Sequence, residues 1–269
     1  MSASLAGTRQ PGRYLAPITV AAMLIFIAGQ SACAELLDVW FPSYCDAEKS
    51  PDNPDDDLMC WAAAASNALS WGNWAWNAGG GLSDAQTTFD YFQDHWSDAA
   101  GKPYYAIKWF LTGQNEMPVG PDWSELESPG GGFYPNVVIN DVLGLASVKA
   151  DGMSFIADQL AQQRVAVLSL AWPLHLVTCW GYRFDPSAVP GTPDYYRGIW
   201  ITDSDDLQAG LRYYDVTLAE EDDLWHLPDY GEKTNIYEVT WLAHSGLIPE
   251  PATLLLLALG ATAIAGKRR

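Results

Sequence analysis

The run Cys60-Trp61-Ala62-Ala63-Ala64-Ala65-Ser66-Asn67-Ala68-Leu69-Ser70-Trp71 is apolar or small on nearly every face of a helix. Alanine is the strongest helix former, and a helix without a polar stripe has to be buried on all sides. The rest of the chain must therefore wrap around residues 60–71. The run also opens on a cysteine, directly after an acidic, turn-like loop from Pro51 to Asp57. A thiol at a helix N-terminus meets unpaired backbone N–H groups and the positive end of the macrodipole, and both favour the nucleophilic thiolate. The carboxylates of Asp55, Asp56 and Asp57 oppose that effect, so they are expected to point away and cap the helix.

The two ends of the chain read as addresses. Arg9 and Arg13 precede an apolar stretch from Leu15 to about Ala28, and Ala32-Cys33-Ala34 then fits a small-x-small cleavage site. This pattern predicts a secretory signal peptide over 1–34. The stretch is short of the roughly 20 residues a membrane span needs, and an uncleaved anchor is the alternative. At the other end, Pro249-Glu250-Pro251 is followed by an apolar run from Ala252 to Gly266 and the basic stop Lys267-Arg268-Arg269. Residues 249–269 resemble the PEP-CTERM sorting tag of Gram-negative bacteria that make an extracellular polysaccharide matrix. The resemblance implies transient membrane insertion of this segment, cleavage by an exosortase-type enzyme, and release or attachment at the cell surface or matrix. An ordinary tail anchor is the alternative, since charge flanking an apolar run is common.

Between the addresses, 35–248 suits one domain with a full core. The net charge of −19 repels nucleic acid and suits a secreted surface. Of the 13 tryptophans, those in Trp71-Gly72-Asn73-Trp74-Ala75-Trp76 read either as a cleft wall or as core and rim packing. A mature chain keeps Cys45, Cys60 and Cys179, and an odd count leaves a thiol free. Cys60 is the expected free one; Cys45 and Cys179 either pair or remain two buried thiols.

Residues 60–71 are followed by a capping box at Ser83-Asp84-Ala85-Gln86 that opens a helix to about Trp96. Further helices are predicted over 103–111, with proline at the start, and over 154–163, with Ser154 as N-cap. Residues 118–132 read as a surface loop and 136–143 as ambiguous. From 165 onward the pattern changes to β-branched and aromatic residues. Strands are predicted over 165–171, 175–182, 198–203, 211–218 and 235–242, with a turn-rich loop over 185–193. Helices first and strands after predict an α+β fold: an N-terminal helical half whose central helix carries Cys60, a C-terminal antiparallel half, and a cleft between them.

His175 opens one predicted strand and Asp203 closes the next, and in an antiparallel pair those two ends are neighbours. A thiol, a base and a group that holds the imidazole are what nucleophilic acyl transfer requires. Asp56-Asp57-Leu58-Met59-Cys60, Ala65-Ser66-Asn67, His175-Leu176-Val177-Thr178-Cys179-Trp180-Gly181 and Ile201-Thr202-Asp203-Ser204-Asp205 together resemble the papain-like superfamily. Within it the likeness is to the secreted streptococcal immunoglobulin-degrading cysteine proteases. The resemblance implies a papain-like fold with Cys60 as nucleophile, His175 as base, Asp203 as orienting group and Asp205 as a supporting carboxylate. It also implies an oxyanion hole from the Cys60 backbone N–H and an upstream lysine. Lys49 is the candidate, at a spacing one residue longer, and Asn53 is an alternative donor. Nothing in the sequence matches an immunoglobulin-binding surface, so the chemistry carries over and the target does not.

The expected activity is that of a secreted cysteine endopeptidase acting on a protein or peptide through a thioester. A transglutaminase-like acyltransferase and a non-catalytic matrix protein are the alternatives. No cofactor is expected. Asp203, Asp205 and Asp206 lack the loop pattern of a calcium-binding EF-hand, and a solvated acidic turn is the plainer reading. His95, His226 and His244 are assigned to structure.

Overall fold

The apolar helix is the hub. In a computed structural model that describes residues 36–247, apart from 42, 172–173, 206–207 and 232–233, helix α1 (Cys60–Trp71) is buried at every position from Cys60 to Leu69. The predicted signal peptide, the sorting tail and Asp206 lie outside the described residues. Short helices surround α1: α2 (Trp74–Ala78), α3 (Ala85–Gln93) and α4 (Pro103–Thr112). The Asp84 carboxylate accepts the Thr87 N–H while the Thr87 hydroxyl caps back, so the capping box belongs to Asp84 and Thr87. Trp61, Phe92, Trp96 and Trp109 meet edge-on or tilted in the seam between α1, α3 and α4.

Two strands frame the next short helices. Strand β1 (Leu37–Trp40) precedes the helices; α5 (Ile139–Val142) runs directly into β2 (Leu143–Ser147), and α6 (Gly152–Ala161) follows. The ambiguous stretch 136–143 thus contains all of α5 and the first residue of β2. Helix α6 starts two residues before Ser154, with Asp151 at the N-cap. The remaining strands are β3 (Arg164–Leu170), β4 (His175–Phe184), β5 (Tyr196–Thr202), β6 (Arg212–Asp215), β7 (Thr217–Ala219), β8 (Leu224–His226) and β9 (Asn235–Ala243).

All nine strands belong to one antiparallel sheet in the order β6-β5-β4-β3-β9-β8-β7. Strand β1 extends β3's side of β4, pairing Leu37 with Phe184, and β2 lies along β9, pairing Leu143 with Leu242. The single residue Val216 separates β6 from β7, although these two strands end the sheet on opposite sides. The sheet must therefore curl until its edges approach, which makes it barrel-like and nearly closed.

This arrangement corrects the expected α+β division and the papain-like fold inferred with it. The chain does not separate into a helical N-terminal half facing a β C-terminal half. The N-terminal part supplies two strands of the one sheet, and α1 packs directly on β3 and β4. The predicted strand 211–218 is also two strands from opposite ends of the sheet. Strands β1, β2, β7 and β8 have three to five residues each, too few to show a period of two. They are strands because long partners such as β4 and β9 hold them.

Candidate active site

A buried amide fixes the hub helix to the sheet. The Asn67 side chain, in the second turn of α1, donates to Thr178 Oγ1 on β4 at 3.3 Å and to Thr202 Oγ1 on β5 at 3.4 Å, and it accepts the Ala47 N–H at 2.7 Å. Thr202 Oγ1 also takes the Trp180 indole N–H at 2.9 Å and donates to the Cys45 carbonyl at 3.2 Å. Thr202 is the last residue of β5, Asp203 follows it, and the register pairs Thr202 with Thr178. The helix that starts at Cys60, the strand that starts at His175 and the strand that ends before Asp203 are thereby tied through one polar knot.

His175 is the first residue of β4, where β4 pairs with the end of β3. It is 6% exposed, and its Nε2 lies 2.6 Å from Asp203 Oδ1. The imidazole is also within hydrogen-bonding reach of Cys60. Nε2 is committed to Asp203, so Nδ1, which also has Asp205 Oδ2 at 3.5 Å, is the nitrogen that can serve the sulfur. Burial acts to lower the His175 pKa, but the hydrogen bonds to Asp203 and Cys60 prevail and raise it to about 10. Burial acts in the opposite sense on Asp203, and the His175 contact, the Tyr230 hydroxyl and the Asp205 N–H together hold that carboxyl below its ordinary value. These contacts favour the protonated form of the ring beside Cys60, the arrangement that a thiol nucleophile would require.

Cys60 itself is buried at the mouth of α1. The Met59 carbonyl accepts the N–H groups of Ala62 and Ala63, which leaves those of Cys60 and Trp61 at the open end of the helix. Asp56 is turned aside, its Oδ2 taking the Ser50 N–H, the Asn53 amide and the Gln93 amide, whereas Asp57 lines the cavity with Cys60, and no side chain caps α1, contrary to the expectation from the sequence. Asp98 accepts the Leu58 N–H at 2.7 Å.

The remaining expected site residues are placed as follows. Asp205 Oδ2 lies 3.5 Å from His175 Nδ1, and Asp205 Oδ1 is paired with the Lys49 ammonium at 2.7 Å. Lys49 also donates to the Asp57 carbonyl, and it lines an adjoining cavity of about 250 Å³ rather than the one that holds Cys60. Asn53 is occupied in the acidic loop. His175, Asp203 and Asp205 each offer one atom within 4.8 Å of the others, a set able to hold a metal ion, although His175 Nε2 and Asp203 Oδ1 already bond each other.

Tyr230 was not legible as a site residue. It sits between β8 and β9, donates its hydroxyl to Asp203 Oδ2 and stacks its ring near His175. Among the described residues Cys45, Cys60 and Cys179 are all free thiols. Burial pushes Cys179 up to about 12 and Cys45 up to about 11. Trp74 is core, its indole N–H donating to the Ala243 carbonyl, and Trp76 is exposed; the cavity walls take Trp61 and Trp123 instead. His226 pairs with Asp222, His244 with the Asn73 amide, and His95 packs against Tyr91 and Trp109.

Cys60 and His175 open onto a cavity of about 480 Å³, within the range of small-ligand sites. Two exposed apolar side chains, Leu58 and Leu174, line it beside Cys60 and His175. Gly101 lies on the wall over Trp61, and a Cβ there would meet the indole at 2.4 Å.

Comparison with known families matches residues 247–269 to the PEP-CTERM protein-sorting motif. The chain thus carries the mark of a protein processed by an exosortase-type enzyme and destined for the surface or exterior of a Gram-negative bacterium. No curated protein matches the sequence. Among the described residues, no helix is long and apolar enough to cross a membrane.

Proposed function

We propose that this protein is an extracellular thiol hydrolase, a cysteine peptidase that attacks peptide carbonyls through Cys60. The observation that carries the reading is the buried His175 imidazole, bonded through Nε2 to Asp203 and within reach of the Cys60 sulfur on its other side. The cavity with exposed leucines in its lining supports it, since apolar side chains beside a nucleophile suit an extended peptide.

In this mechanism the thiolate adds to the carbonyl carbon, and the oxyanion takes the N–H groups at the start of α1. The His175 imidazolium then gives its Nδ1 proton to the leaving amine, the C–N bond breaks, and a thioester forms on Cys60. His175, now neutral, removes a proton from water. The hydroxide displaces the thiolate, and the acid product leaves. Asp203 holds the Nε2–H throughout, and Tyr230 holds Asp203.

Full-length protein incubated with labelled casein tests the reading. Peptide release by the native protein and none by Cys60→Ala is expected. Incorporation of a labelled amine without peptide release assigns the thioester to acyl transfer. Native protein and Cys60→Ala that behave alike in both assays return the chain to a non-catalytic matrix role.

A further inference from the structure

One wall of the cavity contains a charged pair that the triad does not use. The Lys102 ammonium, at the N-cap of α4, reaches both oxygens of Glu238 on β9, at 3.1 Å and 3.0 Å. Ser169 on β3 adds its hydroxyl to Glu238 Oε1 at 3.3 Å. Lys102, Ser169, Tyr237 and Glu238 all line the cavity that holds Cys60 and His175. The backbone is bent to bring them there. Along β3 and β9, Ser169 pairs with Glu238 but Leu170 pairs with Ile236, so Tyr237 is an extra residue in the register. In a regular strand, neighbours point to opposite faces. The bulge turns Tyr237 and Glu238 to the same cavity, a use of bulges that recurs beside active sites. Tyr237 also senses both sides of the site: its pKa is raised by burial and by Glu238, with Lys102 acting to lower it and the Cys60 sulfur to raise it.

A buried ion pair contributes little net stability, because desolvation offsets the attraction. Its position facing the nucleophile's cavity therefore calls for a role in recognition. The pair leaves specific valences open. Two ammonium protons of Lys102 go to Glu238, leaving one donor, and Glu238 Oε2 retains a lone pair, leaving one acceptor. The Lys102 side chain is 29% exposed and so able to present its proton. A carboxylate head would compete for Lys102 and leave the buried Glu238 charge with only the Ser169 hydroxyl, and a cationic head would displace Lys102 in the same way. A primary amide carries both an acceptor and a donor, and it disturbs neither charge.

We propose, resting on the thiol-hydrolase reading, that Lys102 and Glu238 form a specificity subsite that selects a peptide with a neutral amide side chain, glutamine or asparagine, close to the bond Cys60 attacks. The apolar faces of Trp123 and Tyr237 in the same cavity suit the aliphatic stem of glutamine.

The test uses full-length protein and tripeptidyl acyloxymethyl ketones, which alkylate an activated cysteine irreversibly. Glutamine, leucine, glutamate or arginine is placed in turn at each of the three positions, and the rate of Cys60 adduct formation is read by mass. At one position glutamine is expected to react at least about tenfold faster than glutamate and arginine, the order expected when a polar site is left unpaired. In Glu238→Gln the preference there shifts toward glutamate, and in Lys102→Met toward arginine. Cys60 labelling at equal rates for all four heads at every position overturns the subsite while the thiol-hydrolase reading stands, and this arm needs only the native protein. Absence of Cys60 labelling by any probe overturns both.

Discussion

The chain buries two cysteines, one enclosed in the core and one facing a cavity, and the proposed reading assigns them opposite chemistry. Cys179 lies in the middle of β4, among core side chains, with its thiol aimed at the Gly181 carbonyl. Burial outweighs the opposing contact with the Gly181 carbonyl and pushes its pKa up to about 12. Cys60 is almost as buried, but it stands at the open end of a helix and faces a histidine held by a buried carboxylate. Burial by itself therefore makes a thiol inert. Burial beside a histidine held by a buried carboxylate, at the open end of a helix, is the setting in which the proposed reading makes Cys60 the nucleophile. The same strand serves both outcomes, with His175 at its first residue and Cys179 four residues on.

The widest separation between the two thiols should appear in turnover. On the scale of other nucleophile deletions, Cys60→Ala should lower kcat/KM by about 10⁶-fold, whereas Cys179→Ala leaves it nearly unchanged. Comparable turnover in both variants would break the contrast. Next is the group that fixes the base. Asp203→Asn should cost about 10³–10⁴-fold in kcat, because the imidazole loses both its orientation and its countercharge. Rates within about twofold of native would place Asp203 outside the mechanism.

The triad also sets a pH window for stability. The folded His175 pKa is raised from 6.5 to about 10, so its contribution is fully present below pH 6.5 and is lost as pH rises toward 10. Asp203 is held below 3.8, so its contribution is present above that value and disappears as pH falls through its folded value. Urea midpoints should therefore be highest between about pH 4 and 6.5 and decline by pH 10. His175→Ala should flatten the alkaline decline, and an unchanged slope would contradict the assignment.

Smaller effects sharpen the same picture. Asn67→Ala leaves the Ala47 N–H buried without a partner and cuts the tie between α1 and the two strands. It should cost about 2–3 kcal/mol in urea unfolding. Tyr230→Phe removes a hydrogen bond to the buried Asp203 carboxylate and should cost about 1.5–3 kcal/mol, with kcat reduced and KM little changed. A change confined to KM would make Tyr230 a substrate contact instead of a support for Asp203.

What could be read ahead of the structure follows from the range of each interaction. The buried α1, the strands that begin at His175 and end near Asp203, and the pairing of those two ends depend on local composition and simple antiparallel geometry. The sheet's closure does not, because it depends on β6 and β7 diverging across Val216 to opposite edges. Tyr230, the Asn67–Thr202 knot and the Lys102–Glu238 pair were likewise silent, being assembled from residues 27 to 136 positions apart. The bulge at Tyr237 breaks the alternation of β9 at a point the sequence does not mark. The predicted Ser154 cap failed for a simpler reason: Asp151, three residues earlier, already closes the turn before α6.

The central claim is that Cys60 is activated by His175 while the other two described thiols are inert. Treating the full-length protein with iodoacetamide at pH 6 and locating the adducts by mass addresses it directly. The account predicts fast modification at Cys60 only, abolished in His175→Ala, with Cys45 and Cys179 untouched. Slow or indiscriminate modification, or labelling of Cys60 that persists without His175, would contradict it.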